Sequence, residues 1–369
     1  MAISINPGVM RGPQSHRRTF SQSPLLVFYE VTRACDLVCD HCRACAQSVP
    51  DPRELTTQQS LRLIDELAEF RSRPMLVLTG GDPLKRADIF DLVQHAVSRR
   101  LIVSITPSAT ALVTRPALHR LRRAGISRVA VSIDGADAAT HDKKRGVAGS
   151  FERSLRILAE SYMEGIPTQV NTTITPQNVH QIDRMAKLLA RQKIAMWSVF
   201  FLVPVGRAFL ASRLSADQYE AAFERLWQQS QKHSYAIKTT EAPHYRRFVM
   251  QRQSRKGNVN ARGKLGGYVP LGVNDGKGVM FISHVGEIYP SGFMPILCGK
   301  YPEANPVRVY QDSPIFRALR DASRLEGKCK ICEFRNVCGG SRARAYAVSG
   351  NPFAEEPDCA YIPAAVARN

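Results

Sequence analysis

The chain has 369 residues, of which 44% are hydrophobic and 22% are charged, and this composition supports one large domain with a smaller one beside it. No stretch approaches the roughly 18 uncharged apolar residues that a membrane span requires, which excludes an integral membrane protein and predicts a cytoplasmic location. The net charge of +19 favours anionic partners such as polycarboxylates, acidic peptides or nucleic acid.

Residues 1–23 predict a basic flexible tail. They combine Arg11, Arg17 and Arg18 with several serines, and they lack acids and apolar periodicity, so they do not support a packed core. An organelle transit peptide has a similar composition, and that alternative stays open at this point.

Between residues 24 and 210 the sequence alternates short apolar runs with helix-length segments. Runs rich in Val, Ile and Leu indicate strands buried on both faces, as in a parallel sheet covered by helices. Six such βα units predict an α/β fold, a partial (β/α)6 TIM-like barrel that is open on one side. The predicted strands are residues 25–31, 75–79, 101–105, 129–133, 169–173 and 197–203.

The pattern changes over residues 211–270, which predict a helical segment followed by a connector. Residues 216–231 have the periodicity of a helix. Residues 254–267 are rich in glycine and arginine, which is typical of a loop between domains.

A small C-terminal domain is predicted over residues 271–369. It begins with a hairpin of residues 279–282 and 287–289 and carries the second of two groups of cysteines. Disulfide frameworks are typical of short secreted chains, whereas grouped cysteines in a large chain more often bind metal. Both groups are therefore predicted metal sites. The nine cysteines are Cys35, Cys39, Cys42, Cys45, Cys298, Cys329, Cys332, Cys338 and Cys359.

The first group places Cys35, Cys39 and Cys42 directly after the first predicted strand, with the spacing C-x3-C-x2-C. In parallel α/β folds this is the edge where ligands bind. Three soft thiolates suit an iron–sulfur cluster. They leave one iron of a four-iron cluster open, and an open metal position can bind a substrate or cofactor, so this cluster is predicted to take part in redox chemistry.

This motif in this position resembles the radical S-adenosylmethionine superfamily. The resemblance implies a 4Fe–4S cluster whose open iron binds the amino and carboxylate groups of S-adenosylmethionine. Reductive cleavage of that cofactor yields a 5′-deoxyadenosyl radical, which abstracts hydrogen from an unactivated carbon. A flavodoxin- or ferredoxin-type protein is the implied electron donor.

The resemblance also implies contacts to S-adenosylmethionine. The stretch Gly80-Gly81-Asp82-Pro83 matches the family's glycine-rich motif that meets the methionine amino group, with aspartate in place of the usual glutamate. A serine or aspartate at a strand end is also often a helix cap, which is the alternative role for the polar members of this set. The further implied contacts are Ser108, Ser132 and Asp134 at the ribose or methionine portion, Arg145 at the carboxylate, and Leu202 and Val203 at adenine.

Two neighbours of the three cysteines are interpreted as residues that do not bind the cluster. Cys45 is read as a spare thiol, because a fourth ligand would leave no iron open for the cofactor. His41 stands where the family commonly has an aromatic residue, so packing near adenine is predicted rather than metal binding.

The second group, Cys329, Cys332, Cys338 and Cys359, supplies four thiolates, enough to close a site. A structural zinc ion is one interpretation. The spacing is also similar to the auxiliary-cluster domains called SPASM or twitch, with twitch the closer match, which implies an auxiliary 4Fe–4S cluster. Cys298 is interpreted as a buried or spare thiol.

Segments along most of the chain resemble the radical enzymes of alternative heme and heme d1 biosynthesis and an uncharacterised sister group. Those heme enzymes oxidise or remove carboxylate-bearing side chains of tetrapyrroles, which implies oxidative modification of a tetrapyrrole-like substrate. Arg207, His244 and Arg246 are predicted near the mouth, where they would suit a polyanion. The segments are residues 32–35, 42–44, 78–81, 131–135, 171–173, 202–207 and 338–346.

Two other functions are weighed against this one. A radical maturase of ribosomally made peptides shares the auxiliary-cluster pattern, but such enzymes usually carry a leader-binding domain, for which there is no room before residue 25. A non-catalytic metal-cluster regulator that binds nucleic acid would use the positive charge. It would leave the glycine-rich motif and the open cluster without a purpose, so nucleic acid is not the expected partner.

Overall fold

The computed structural model describes residues 19–208, 213–255 and 272–367. Most of the predicted tail, 1–23, and most of the predicted connector, 254–267, lie outside the described residues. Within these ranges, no helix combines the length and the apolar character of a membrane span.

Six parallel strands lie at the six predicted positions, each hydrogen-bonded to the next along the chain. Their carboxyl ends therefore meet at one edge of the sheet. Side chains that face the helices, such as Val27, Tyr29 and Val31, are fully buried, as expected for a sheet covered on its outer face. The strands are β1 (Leu26–Thr32), β2 (Met75–Gly80), β3 (Ile102–Ile105), β4 (Arg128–Ser132), β5 (Thr168–Ile174) and β6 (Met196–Phe201).

Helices cover the outer face of the sheet. In the first of them Leu63, Ile64 and Leu67 are fully buried, and burying each such side chain contributes about 2 kcal/mol. Capping boxes at Thr56 and Ser215 define where the first and seventh helices begin. The helices are α1 (Thr57–Ala68), α2 (Ile89–Ser98), α3 (Arg115–Arg123), α4 (Ala138–Arg145), α5 (Ser150–Met163), α6 (Ile182–Ala190), α7 (Ala216–Lys232) and α8 (His244–Arg255).

A seventh parallel strand, β7 (Ala236–Thr240), pairs with β6, so the prediction of six strands was one short. The segment had been predicted as part of the helical segment and connector. Its sequence, Ala-Ile-Lys-Thr-Thr, has no continuous apolar run, because this strand lies at the edge of the sheet and all five residues keep some exposure.

The predicted hairpin is present as β8 (Val279–Ile282) and β9 (Glu287–Tyr289). It is not separate from the barrel, since β8 pairs in parallel with β1. The short strand β10 (Gly299–Lys300) continues this side. The described strands form one sheet in the order β10-β9-β8-β1-β2-β3-β4-β5-β6-β7, so the first part of the predicted C-terminal domain extends the barrel.

The remaining C-terminal residues form short helices that pack against the barrel. The fully buried side chain of Arg344 joins the two parts, donating to the carbonyl oxygens of Leu202 (3.3 Å) and Glu241 (2.6 Å) and to Oε1 of Glu356 (2.8 Å). A buried guanidinium without a carboxylate partner is costly, so Glu356 stabilises this junction. The helices are α9 (Pro306–Asp312), α10 (Pro314–Arg320), α11 (Gly327–Ile331), α12 (Arg342–Ser349) and α13 (Ala364–Ala367).

Candidate active site

A cleft of about 1020 Å³, open solvent at its mouth included, lies at the carboxyl ends of the parallel strands. Cys35, Cys39 and Cys42 line it together, on the loop that follows β1. The structure thus brings the three cysteines of the predicted motif to one surface. This is the edge where parallel α/β folds bind their ligands.

Each of the three thiols accepts a hydrogen bond from an N–H group. The Leu37 amide donates to Cys35 Sγ at 3.3 Å, the Ala46 amide to Cys42 Sγ at 3.4 Å, and the Arg145 guanidinium to Cys39 Sγ at 3.7 Å. Hydrogen bonds to sulfur stabilise thiolate ligands and tune iron–sulfur clusters. The donor set therefore fits a 4Fe–4S cluster with one iron open.

The glycine-rich loop packs directly against the cysteine loop. Gly80 and Gly81 line the cleft, and the Gly81 amide donates to the Thr32 carbonyl at 2.9 Å. A Cβ on either glycine would overlap backbone atoms of Thr32 or Ala34. The two loops can therefore approach this closely only because these positions are glycine.

Asp82 and Pro83 are not among the residues that line the cleft, and their contact with the cofactor stays a prediction. Asp82 is fully buried, and its carboxylate accepts from Thr110 Oγ1 (2.6 Å) and the Leu84 amide (3.2 Å). It also accepts from the Ser108 amide at 3.4 Å. Asp82 thus holds Ser108 in place, while Pro83 begins a short 3₁₀ turn.

Ser108 and Ser132 both line the cleft, as predicted from their positions at strand ends. Ser108 Oγ donates to the Gly81 carbonyl at 2.8 Å and lies 3.3 Å from Cys35 Sγ. This hydroxyl connects the glycine-rich loop to the cysteine loop. A bound cofactor in the cleft would meet both serines.

Arg145 lines the cleft, whereas Asp134 is fully buried behind it. The two side chains form an ion pair at 2.6 Å, and the Thr173 amide donates to Asp134 Oδ1 at 2.7 Å. Burial opposes ionisation of Asp134, but Arg145 and then His41 outweigh it and hold the pKa of that carboxyl far below its usual range. Asp134 therefore positions Arg145 and does not itself reach the cleft.

His41 lines the cleft, but its contacts are ionic. Its Nδ1 lies 2.7 Å from Asp40 Oδ1, and its Nε2 lies 3.4 Å from Asp134 Oδ2. Burial opposes protonation, yet Asp134 raises the pKa of His41 above its usual value. Packing near adenine was predicted for this ring, and its position in this ionic group was not.

Leu202 and Val203 are not among the residues that line the cleft, and their place beside adenine stays a prediction. Both are buried at the junction with the C-terminal part, where Val203 packs against Met294 and Ala343.

The apolar wall of the cleft is formed instead by Phe200 and Phe293, whose ring centroids are 6.4 Å apart. Other lining residues without a predicted role are Thr79, Thr106, Asn171 and Thr173. They occupy inward positions at the ends of β2, β3 and β5, and the period-two alternation of strands is the signal that could have identified them.

The side chains of Arg207 and Arg246 donate hydrogen bonds to backbone carbonyl groups. Arg207 donates to the Ala46 carbonyl at 3.1 Å. Arg246 donates to the carbonyl oxygens of Val337 (3.0 Å) and Val273 (2.8 Å). Neither of these arginines nor His244 is among the residues that line the cleft, and their place at the substrate entrance stays a prediction.

The second group of cysteines lines one cavity of about 380 Å³. The amides of Gly340 and Glu356 donate to Cys338 and Cys329, both at 3.4 Å. Amides of Phe334 and Tyr361 donate likewise to Cys332 and Cys359. All four thiols thus have an N–H donor, as the first three have.

The chemistry of this cavity fits a metal cluster. Burial raises the pKa of the Cys338 thiol to about 12 and that of the Cys359 thiol to about 11, so a bound cation is needed to hold these groups as thiolates. Among the described residues, no three His, Cys, Asp or Glu side chains converge on one metal ion. The four thiols line one cavity, and such a set of ligands can hold a tetrahedral zinc ion or an iron–sulfur cluster.

His244, Cys298 and Cys45 lie in different surroundings. His244 begins α8, is fully buried and lines the cavity of the second cysteine group; neither of its ring nitrogens has a hydrogen-bond partner among the described residues. Cys298 packs against the main core, and Cys45 is exposed. Neither of these two cysteines lines either cavity.

The buried ring of His141 predicts a loss of stability in mild acid. Its Nδ1 accepts from the Asp134 amide at 3.0 Å, and burial, followed by the charge of Arg145, lowers its pKa to about 4, against 6.5 for an ordinary histidine. Between these values the unfolded chain binds more protons, so stability falls as pH falls. We expect the free energy of unfolding to drop by about 2 kcal/mol from pH 7 to pH 5 through this residue.

Urea unfolding of the wild type and of His141→Asn at both pH values measures this contribution. The variant should lose about 2 kcal/mol less than the wild type over this interval. Equal losses in the two proteins would show that His141 does not carry the effect.

Residues 29–189 match the family model described as the Radical SAM superfamily. The chain is 37% identical over 345 residues to the AdoMet-dependent heme synthase of Methanosarcina barkeri, covering 93% of this chain and 98% of that protein. It is 38% identical to the AdoMet-dependent heme synthase of Oleidesulfovibrio alaskensis, covering 92% and 87%.

The fold is similar to that of SuiB from Streptococcus suis, solved with bound S-adenosylmethionine. The TM-score is 0.71 at 16% identity, over 92% of this chain and 78% of that one. SuiB has also been solved with its precursor peptide SuiA. The chain belongs to the radical S-adenosylmethionine superfamily and is an enzyme whose cofactors are S-adenosylmethionine and a 4Fe–4S cluster.

Proposed function

We propose that this enzyme oxidises a carboxylate-bearing side chain of a tetrapyrrole-like substrate. The observation that carries the proposal is the 37% identity to a heme synthase over nearly the full length of both chains. The matched region spans the strand ends and the C-terminal part, which together select the substrate in this architecture. The positive charge of the chain is in keeping with a polyanionic substrate.

Cys35, Cys39 and Cys42 are the proposed ligands of the 4Fe–4S cluster that binds S-adenosylmethionine. When bound, cluster and cofactor together supply the 5′-deoxyadenosyl radical that removes a hydrogen atom from the substrate. The chain's own groups orient the cofactor: the backbone of Gly80 and Gly81 lies beside the cysteine loop. Arg145, held by Asp134, presents its charge to the cofactor carboxylate.

The hydroxyls of Ser108 and Ser132 face the same cleft and are the proposed partners of the polar part of the cofactor. Phe200 and Phe293 supply an apolar wall against which a planar ring can stack.

The second group, Cys329, Cys332, Cys338 and Cys359, is the proposed site of an auxiliary 4Fe–4S cluster. Removal of a hydrogen atom, an electron and carbon dioxide from a carboxylate-bearing side chain would be an oxidative decarboxylation, and an auxiliary cluster held by these four cysteines would supply an acceptor for the electron. A flavodoxin- or ferredoxin-type protein is the proposed donor of the electron that starts the reaction. Unpaired cysteines throughout the described residues favour a reducing compartment such as the cytoplasm.

The test uses anaerobically reconstituted enzyme with S-adenosylmethionine, dithionite and an iron porphyrin that carries propionate side chains. The porphyrin should increase 5′-deoxyadenosine formation, and mass spectrometry should show porphyrin that has lost carboxylate mass. Equal nucleoside formation with and without porphyrin, together with an unchanged porphyrin mass, would contradict the proposal. A peptide that instead stimulated nucleoside formation would favour the peptide-maturase alternative, to which the fold of SuiB is similar.

A further inference from the structure

A polar row crosses the inner face of the barrel from β4 to β7. The strands pair in register, so Ser132 lies opposite Asn171, Asn171 opposite Ser198, and Ser198 opposite Lys238. Directly paired residues of parallel strands point to the same face of a sheet. Ser132 and Asn171 line the cleft, so Lys238 also points into the barrel.

The strand pairing of Thr240 supports the same orientation of β7. Thr240, two residues after Lys238, lies opposite Phe200, which lies opposite Thr173. Both of these partners line the cleft. The inner face of β7 therefore points to the same side of the sheet as the cleft-lining residues of β5 and β6, although β7 itself does not line the cleft.

Lys238 lies in a positively charged environment. Among the described residues, no ion pair or side-chain hydrogen bond involves its ammonium group, and the charged groups that act on it are both cationic, Arg128 and Arg246. Burial, followed by these two charges, lowers the pKa of Lys238 to about 8. Arg128 also points inward, with its guanidinium 3.3 Å from Gln169 Oε1.

Several partly buried cations of the barrel are paired with a carboxylate. Arg43 pairs with Glu30, Arg86 with Asp88, and Arg145 with Asp134. Removing a cation from water without such a partner is unfavourable. Lys238 differs from these three, because no carboxylate among the described residues forms an ion pair with it.

We propose that Lys238 forms a carboxylate-binding site inside the barrel that receives a carboxylate of the substrate. This inference rests on the proposed function, since it assigns one contact of a carboxylated tetrapyrrole-like substrate. Three strand spacings of about 4.8 Å separate Ser132 from Lys238 along the curved sheet. A broad planar substrate can therefore contact the cofactor side of the cleft and Lys238 together.

The experiment measures binding of two probes, an iron porphyrin with propionate side chains and its methyl ester, to reconstituted enzyme by absorbance titration. Lys238→Gln should weaken binding of the acid by on the order of tenfold, because a charge-assisted hydrogen bond is lost. Binding of the ester should be the same in Lys238→Gln and wild type. Lys238→Arg, which retains the charge, should bind the acid within about threefold of wild type.

Lys187→Gln is the matched control, because it removes the same charge from an exposed position on α6. It should bind both probes as the wild type does. Iron content and melting temperature check that Lys238→Gln is folded, and removal of an unpaired inward charge should not lower the melting temperature. An unchanged affinity of Lys238→Gln for the acid, or an equal loss for acid and ester, would overturn the proposal.

Failure of the proposed function would look different. If the wild type binds neither porphyrin, the tetrapyrrole assignment is wrong, and the site is then probed with glutarate by thermal shift. Stabilisation of the wild type that is lost in Lys238→Gln would support a carboxylate site for another substrate. Equal shifts in both proteins, or none in either, would overturn the site as well.

Discussion

We expect that replacing Cys35 by alanine abolishes cleavage of S-adenosylmethionine and leaves iron bound at the second cysteine group. The variant loses one of three proposed ligands in a cleft where each thiol has its own N–H donor, while the four distant cysteines line a separate cavity. Iron content should fall from about eight to about four atoms per chain, and 5′-deoxyadenosine should fall to background.

Cys45→Ser is the matched control for that variant. Cys45 is on the same loop, but it is exposed and does not line the cleft, so iron content and nucleoside formation should equal those of the wild type. Loss of iron in Cys45→Ser would make Cys45 a ligand. Full cleavage activity in Cys35→Ala would contradict the assignment of the first cluster.

Gly206→Ala should cause loss of the first cluster, although Gly206 is not one of the proposed ligands. Gly206 has a φ of +64°, and a Cβ there would overlap the carbonyl oxygens of Cys42 and Arg43. The next residue, Arg207, donates its amide to the Cys42 carbonyl at 3.0 Å, so displacement of this turn moves the ligand loop. We expect loss of the iron of the first site and of S-adenosylmethionine cleavage, with iron at the second site retained.

Gly165→Ala is the matched control for Gly206→Ala. It introduces a similar backbone strain without steric overlap with neighbouring atoms. Gly165 has a similar φ of +70°, but a Cβ there would have no neighbour within 4 Å. It should lose about 1 kcal/mol of stability from the left-handed conformation and keep all of its iron. Equal iron content in the two variants would show that contact with the cysteine loop is not what requires glycine at position 206.

The strands of the barrel were predictable because burial on both faces produces apolar runs. Residues 75–79, for example, lie within β2. β7 was not predicted, because its inner face is polar, includes Lys238 and therefore gives no apolar run in the sequence. The pairing of β8 with β1 joins residues about 250 positions apart in the chain, and no local pattern in either segment reports such a contact.

Two kinds of site residue could be predicted from the sequence. These are the cysteines, from their spacing, and the residues that follow a predicted strand, from their position at its end. The three cysteines, Gly80, Gly81 and the two serines do share one cleft. Spacing does not say which way a side chain turns, and for that reason Asp82 and Asp134 were expected in the cleft but are buried behind it.

Spacing likewise does not show which side chains at the end of β6 face the cleft. Residues 202 and 203 follow β6 in the chain, but the C-terminal part covers them. Phe200, two positions earlier on the inner face, is the aromatic residue that reaches the cleft.

The central claim is that the enzyme removes a hydrogen atom from the carboxylate-bearing side chain of a tetrapyrrole. The direct test supplies an iron porphyrin deuterated on the methylene carbons of its propionate side chains, with S-adenosylmethionine and dithionite, and analyses the nucleoside by mass spectrometry. We expect one deuterium per turnover to be transferred to 5′-deoxyadenosine. Nucleoside that forms without deuterium, while the porphyrin remains unchanged, would contradict it.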